Sequence, residues 1–184
     1  MTPGIQRRAG YRSAKEGFTL VELSIAIAIM MIGLVSVVAS TSRMHLLRKQ
    51  NRELTLANNG VRTMAERIHA SSHGFSDDPG TWASELIARF SAGGSFGGTF
   101  EVRGLEPVTG APAVGTITFI TDETATDAAL STTLGMPRDL DGDGATTNAD
   151  VSTTARILPV VLTLRWRSMA DVNEVTHEFF VLGY

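Results

Sequence analysis

The chain reads Gly17-Phe18-Thr19-Leu20-Val21-Glu22-Leu23 where a short basic leader meets a long apolar segment. Residues 18–39 are mostly apolar and contain no lysine or arginine, and a helix of that length spans the hydrocarbon core of a bilayer. Glu22 is the single charged residue in this segment. Because an unpaired carboxylate in hydrocarbon costs several kcal/mol, an acid at such a position indicates function.

The carboxylate of Glu22 needs a cationic partner, and a cut after Gly17 would create one. Phe18 would then carry a free α-amino group near the depth of Glu22, and the ammonium of one subunit would neutralise the carboxylate of its neighbour when such helices bundle. In an ordinary secretory signal the apolar core precedes the cut and is discarded, whereas here it would stay in the mature protein. The alternative is an uncleaved signal anchor, in which Gly17 and Glu22 would both be accidental.

The segment Lys15–Leu23 resembles the processing site of type IV prepilins and of the pseudopilins of type II secretion. The resemblance rests on the glycine before the cut, the phenylalanine after it, the acid at the fifth mature position and the apolar helix that follows. It implies that a prepilin peptidase cuts between Gly17 and Phe18 and N-methylates Phe18, and that Glu22 serves assembly. The implied partners are that peptidase and methylase, an inner-membrane assembly platform, and other pilin or pseudopilin subunits.

The predicted domains are a cleaved leader over 1–17, a transmembrane or filament-core half of a long helix over 18–42, and an extracytoplasmic globular domain over 43–184. Four basic residues precede the apolar segment and four follow it, so the distribution of positive charge does not fix its orientation. The resemblance implies a single-pass protein of the inner membrane with its globular domain outside the cytoplasm, and an extracellular filament after assembly.

Charge and cysteine content restrict the possible functions of the mature chain. Loss of the leader, with its four basic residues and one acid, changes the formal net charge from −3 to −6. An acidic body argues against nonspecific binding of nucleic acid, which relies on neutralising phosphates. The chain has no cysteine, so no disulfide framework holds its loops, and a bound metal is a candidate for that task.

The helix is predicted to continue beyond the membrane segment to about Ala70. Apolar or small residues recur at steps of three and four, which places them on one face of a helix, at Leu54, Ala57, Val61, Met64 and Ile68. Two separate helices are the alternative, because Asn58-Asn59-Gly60 is a poor helical run. A short second helix is predicted to bury Trp82, Leu86 and Phe90.

Four later segments predict β-strands, namely Phe100–Arg103, Gly115–Thr121, Ile157–Arg167 and Glu174–Leu182. The predicted fold class is therefore α+β, with the amphipathic half of the long helix packed on a small antiparallel sheet, and the pilin resemblance implies the same layout. Trp166 stands between Arg165 and Arg167. Because neighbours in a strand point to opposite faces, we expect a buried tryptophan rather than an exposed platform for bases or sugars.

The sequence Asp139-Leu140-Asp141-Gly142-Asp143-Gly144-Ala145-Thr146-Thr147-Asn148-Ala149-Asp150 has the spacing of a calcium loop. Calcium takes six to eight oxygen ligands, and an EF-hand loop supplies them from its first, third, fifth, seventh, ninth and twelfth positions. Those positions predict the ligands Asp139, Asp141, Asp143, the backbone carbonyl of Ala145, Thr147 and Asp150. Gly144 at the sixth position permits the sharp turn.

This loop departs from the EF-hand in two ways. Its twelfth residue is aspartate rather than glutamate, which resembles the calcium loops of dockerins, and its flanks do not predict two amphipathic helices. We therefore expect a structural calcium ion on a surface loop rather than a sensing pair of EF-hands. The alternative is an Asp/Gly turn that binds no ion. Asp122, Glu123 and Asp127 lack the ligand spacing and are predicted to form a solvated loop.

No motif in the chain predicts an enzyme. A nucleophile elbow, a phosphate loop, a dinucleotide fingerprint and a cysteine nucleophile are all missing from the sequence, and the four histidines lack metal-ligand spacing.

We expect a non-catalytic minor pilin, since position 39 is alanine where the resemblance to major pilins would imply proline. The alternatives are a type II secretion pseudopilin, a ligand-binding subunit at a pilus tip that serves adhesion or DNA uptake, and a membrane-anchored calcium module with an uncleaved N-terminus.

Overall fold

The computed structural model describes residues 19–75, 81–169 and 171–183. These residues form helices α1 (Leu20–Ser72), α2 (Trp82–Phe90) and α3 (Asp127–Leu130), with a short 3₁₀ turn at His73–Phe75. The strands are β1 (Thr99–Phe100), β2 (Glu106–Pro107), β3 (Gly115–Phe119), β4 (Ile157–Arg167) and β5 (Val172–Leu182). The chain divides into two compact units, one ending at Leu47 and one beginning at Arg48.

The first unit contains the apolar part of α1, which is long and apolar enough to cross a membrane. Its first turn is closed by Thr19, whose hydroxyl accepts from the N–H of Glu22 at 3.2 Å and whose carbonyl accepts from that of Leu23 at 3.1 Å. Four hydroxyls further along donate to the backbone carbonyl four residues earlier at 2.8–3.0 Å, those of Ser24, Ser36, Thr41 and Ser42. These hydroxyls therefore need no water, which suits a helix in apolar surroundings.

In the second unit α1 buries one stripe of residues, made up of Glu53, Ala57, Val61, Met64, Ala65, Ile68 and Ser72. The prediction of one long helix is confirmed, and the alternative of two separate helices is wrong. Gly60 does not break the helix; a Cβ at this position would lie 2.4 Å from Cγ2 of Val102, so glycine is what allows the two segments to approach. The prediction that Leu54 belongs to the buried stripe is wrong, because Leu54 is 42% exposed and the neighbouring Glu53 occupies that face.

Strand β4 is the centre of an antiparallel sheet. One edge pairs with β5 along its whole length, and the other pairs first with β3 over Val160–Leu164 and then with β2 over Trp166–Arg167. Strand β1 extends the sheet beyond β3. The bounds predicted for β4 are confirmed, whereas the first predicted strand is reduced to Thr99–Phe100 and β2 was not predicted. Two residues that include a proline carry no alternation from which a strand could be inferred.

The helix packs on the sheet through apolar contacts and one buried polar group. The β4 residues Leu158, Val160, Leu162, Leu164 and Trp166 are fully buried, and Arg165 and Arg167 are exposed, which confirms the buried tryptophan. The Glu53 carboxylate accepts from the Trp166 indole N–H at 3.4 Å and from the Ser168 hydroxyl at 2.8 Å. The predicted α+β class, with a long helix on an antiparallel sheet, is confirmed.

Helix α2 buries the residues predicted for it, Trp82, Leu86 and Phe90, together with Ala83. Its first residue is also a polar link to the segment before β4, since the Trp82 indole donates to the carbonyl of Ala155 at 2.8 Å. Ala155 lies two residues before β4 begins. The helix is thus fixed beside the loop that leads into the central strand.

Ile68→Ala is expected to lower the free energy of unfolding by about 2–5 kcal/mol, because Ile68 is fully buried and its loss leaves a cavity between helix and sheet. Leu54→Ala on the same helix is the matched control and should change it by less than about 0.5 kcal/mol. Urea unfolding of both variants in detergent measures the difference. Equal losses would contradict the assignment of Leu54 to the exposed face.

Candidate metal centre and N-terminal motif

Two acidic segments lie side by side in the connection between β3 and β4. The first contains Glu123 and follows β3 directly; the second is the predicted calcium loop, residues 139–150. Backbone hydrogen bonds join them, from the Glu123 N–H to the Asn148 carbonyl at 3.0 Å and from the Val151 N–H to the Thr121 carbonyl at 2.9 Å. The fold therefore brings together acids that are far apart in sequence.

Glu123 is fully buried, so its prediction as part of a solvated loop is wrong. Its Oε1 atom accepts hydrogen bonds from the backbone N–H groups of Leu140 at 2.6 Å and Asp141 at 3.2 Å. Its Oε2 atom is buried and has no hydrogen-bond partner among the described residues. The acid was missed because its partners lie seventeen and eighteen residues away, so no local spacing reveals it.

Glu123, Asp139 and Asp141 form a three-acid group. Each offers one carboxylate oxygen, and the three oxygens lie within 4.8 Å of one another. Glu123 is buried and the two aspartates are half-buried. Carboxylates that converge in this way repel one another, and a cation among them relieves the repulsion. The group can therefore hold a metal ion.

Carboxylates of the loop also shape its backbone. Asp139 accepts from the N–H of Gly142 at 2.6 Å and from that of Gly144 at 2.9 Å, and Asp143 accepts from that of Ala145 at 2.7 Å. The Gly144 N–H lowers the pKa of Asp139 below its ordinary value; partial burial opposes this and the Gly142 N–H reinforces it. The charged form of Asp139, which a metal requires, is thus favoured by the loop itself.

Asp143 and Asp150 do not join the three-acid group. The Asn148 amide donates to Asp141 and to Asp143 at 3.2 Å each. The Asn148 side chain therefore links Asp143 to the three-acid group. Asp150 accepts from the N–H of Ser152 at 2.9 Å, and that contact lowers its pKa. Thr147 is exposed and Ala145 is half-buried, and their roles as ligands remain predictions.

The loop is anchored to the sheet through Leu140, which is fully buried. Its carbonyl accepts from the N–H groups of Arg156 at 2.8 Å and Ile157 at 3.0 Å, where β4 begins. The Arg156 carbonyl in turn accepts from the Gly183 N–H at 2.9 Å, next to the end of β5. Residues 131–156 contain no helix, which agrees with the expectation that this is not a pair of EF-hands.

The structure describes part of the N-terminal site. Gly17 and Phe18, the predicted cleavage and methylation positions, lie outside the described residues. Glu22 is exposed in the first turn of α1, where a negative charge is favoured by the helix dipole. Its position leaves the carboxylate free to contact another molecule, which the predicted pairing with a neighbouring subunit requires.

Residues 12–38 match the family described as the prokaryotic N-terminal methylation motif. This motif is the signature of type IV pilins and pseudopilins, so the resemblance drawn from Lys15–Leu23 is confirmed. It indicates a pilin-like or pseudopilin substrate of prepilin peptidase that assembles with other such subunits, and it agrees with a non-enzymatic role. The motif and the long apolar helix together indicate anchoring in a membrane. No curated protein and no solved structure matches the chain.

Gly144→Ala is expected to lower the free energy of unfolding by about 1–2 kcal/mol, because Gly144 has a φ of +87° and a Cβ is strained there. Gly144→Asn is the matched control and should lose less, since asparagine tolerates this left-handed conformation better. Both are measured by thermal unfolding without added metal. Equal losses would show that backbone strain does not decide the cost.

Proposed function

We propose that this chain is a non-catalytic minor pilin, cut between Gly17 and Phe18 and assembled into a type IV pilus or a related filament. The observation that carries the proposal is the match of residues 12–38 to the N-terminal methylation motif. The exposed Glu22 in the first turn of an apolar helix supports it. The partners would be prepilin peptidase, the assembly platform of the inner membrane, and other pilin subunits.

Before assembly, the apolar half of α1 would hold the subunit in the inner membrane, with the globular domain outside the cytoplasm. The large apolar side chains of this half are exposed, among them Leu20, Ile27, Ile32 and Val38. In the bilayer lipid would cover them, and in a filament the helices of neighbouring subunits would do so. The change of surroundings costs little, because one apolar contact replaces another.

Glu22 would fix the axial register of the filament. When two helices pack side by side, the carboxylate of one subunit meets the methylated amine of Phe18 of the next. A shifted packing would leave both charges unpaired in an apolar core, which costs several kcal/mol. The same pairing explains why an acid persists in a segment otherwise free of charge.

Glu22→Ala is expected to leave membrane insertion unchanged and to reduce incorporation into filaments by about tenfold or more, because the partner amine then stays buried without a counter-ion. Immunoblots of membranes and of sheared filaments measure the two steps. Ser24→Ala is the control, since its hydroxyl only bonds its own helix, and it should assemble normally. Normal incorporation of Glu22→Ala would contradict the pairing.

Mass spectrometry of the N-terminal peptide tests the proposed function directly. N-methylated Phe18 in sheared surface filaments is the expected result. A processed terminus found in membranes but never in filaments would favour the alternative of a type II secretion pseudopilin, which shares the motif. An intact leader in both fractions would overturn the filament function.

The alternative of a ligand-binding tip subunit, serving adhesion or DNA uptake, finds less support. Such a role would be favoured by an exposed aromatic and basic surface. Trp166 is fully buried, and its indole is bonded to Glu53. Arg165 forms an ion pair with Glu174 at 3.1 Å on the exposed face. This stretch therefore offers no aromatic ring on which a base or sugar could stack.

The metal is proposed to be a structural calcium ion, with the loop ligands Asp139, Asp141, Asp143, the Ala145 carbonyl and Thr147. Asp150 is not among them, because it does not join the three-acid group and accepts from the Ser152 N–H. All of these donors are oxygens, which hard cations prefer. Calcium tolerates irregular coordination at 2.3–2.6 Å, whereas magnesium demands a near-ideal octahedron at about 2.1 Å. Extracellular sites bind calcium at 10⁻⁴–10⁻³ M, an affinity sufficient outside the cell.

Calcium at about 1 mM is expected to raise the free energy of unfolding by about 1.4 kcal/mol, as mass action predicts for a dissociation constant near 10⁻⁴ M. The full chain in detergent should show a higher melting temperature with calcium, a smaller change with magnesium, and a return to the starting value with chelator. Asp139→Asn should abolish the gain. A melting temperature that calcium does not change would exclude a bound calcium ion.

A further inference from the structure

We infer that Glu123 is a direct ligand of the proposed calcium ion, so that two separate chain segments hold the ion rather than the loop of residues 139–150 alone. The inference rests on the proposed calcium site and goes beyond it. It assigns a ligand that the spacing of the loop does not contain. It also assigns the ion a task, which is to fasten the segment after β3 to the segment before β4.

The two oxygens of the Glu123 carboxylate have different surroundings. Oε1 is bonded to the N–H groups of Leu140 and Asp141, which fixes the orientation of the group. Oε2 is buried and has no hydrogen-bond partner among the described residues. A buried charged oxygen without a partner is costly, so a folded protein provides one. A cation bound at Oε2 meets that need.

The distances fit a shared ion. Two oxygens bound to one calcium ion at 2.3–2.6 Å are at most about 5 Å apart. The oxygens offered by Glu123, Asp139 and Asp141 lie within 4.8 Å of one another, so all three can reach one ion. The first and third positions of the loop and the buried glutamate thus form one coordination site.

Asp150 has a different task in this arrangement. It is exposed, does not join the three-acid group, and accepts from the Ser152 N–H at 2.9 Å. That contact shapes the turn that follows the loop. Glu123 therefore supplies the closing carboxylate that an EF-hand takes from its twelfth residue. The glutamate comes from another segment, which explains why its position in the sequence shows no calcium spacing.

The ion would also explain how this connection stays ordered in a chain without cysteine. The segments that it joins already share the Glu123–Asn148 and Thr121–Val151 backbone bonds. An ion bound by a ligand from each segment holds the intervening loop closed in the folded chain. Because the unfolded chain lacks this site, calcium binding stabilises the folded state by mass action. The Leu140 carbonyl, which accepts from the N–H of Ile157, then links this loop to the first residue of β4.

Calorimetric titration with calcium of the full chain in detergent tests the assignment through two variants. Glu123→Gln is expected to weaken calcium binding by about tenfold or more, because a ligand is lost. Asp150→Asn, which removes a charge from the same loop, should bind within about twofold of the unchanged protein, since an exposed carboxylate outside the three-acid group interacts only weakly with the ion through water. The ratio of the two effects is the quantity that decides.

Melting temperatures separate loss of a ligand from loss of structure. In chelator, Glu123→Gln is expected to be at least as stable as the unchanged protein, since the amide oxygen keeps the bonds from Leu140 and Asp141 and the buried charge is gone. With calcium, the unchanged protein should gain stability and the variant should not. A variant that is less stable under both conditions would show a merely structural role and overturn the assignment.

Glu123→Asp serves as a second variant if the glutamine variant does not fold. It keeps the charge but withdraws the oxygen by one methylene, so binding should again weaken. Calcium affinity equal to that of the unchanged protein in both Glu123 variants, together with loss of binding in Asp150→Asn, would overturn the inference and leave the calcium loop standing. An unchanged protein that binds no calcium would overturn both the ion and its ligand. The filament function is tested independently by the N-terminal peptide.

Discussion

The packing of the α1 stripe on the buried side chains of β4 is the constraint on which the rest of the globular unit depends. Strand β4 pairs with three other strands, so any shift of the helix against it would disturb the whole sheet. Most of this contact is apolar, and one polar group restricts its geometry, because the Glu53 carboxylate accepts a hydrogen bond from the indole of Trp166. A buried carboxylate with two donors favours one register of helix on sheet over its neighbours.

Local pattern was sufficient to predict the parts of the fold that repeat a simple period. The bounds of β4 follow from a run of β-branched and apolar residues, and the length of α1 follows from its three-and-four spacing. Leu54 was misplaced because hydrophobicity alone cannot show that a neighbouring glutamate will find donors in a distant strand. Strand β2 was missed because two residues are too few to show alternation. In each failure a long-range contact decided the outcome.

The two candidate sites differ in how far the sequence reveals them. The N-terminal motif is read by a peptidase as a contiguous stretch, so its information is local and a family match over residues 12–38 recovers it. The three-acid group is assembled by folding. The alternating aspartates of the loop can be recognised in the sequence. Glu123 becomes a candidate ligand only because it is buried and bonded to the N–H of Leu140, which the tertiary structure alone shows. Ligands contributed from a second segment are, for this reason, systematically underestimated by spacing rules.

The hydroxyl groups of the apolar helix have a consequence for how the subunit moves between membrane and filament under the proposed function. Ser24, Ser36, Thr41 and Ser42 each return their hydrogen bond to the helix that carries them. None of the four has to exchange a partner when lipid gives way to protein, or when protein gives way to lipid. As far as these four hydroxyls are concerned, the helix can pass from bilayer to filament and back, so a subunit released from a filament could re-enter the bilayer with all four hydrogen bonds unchanged.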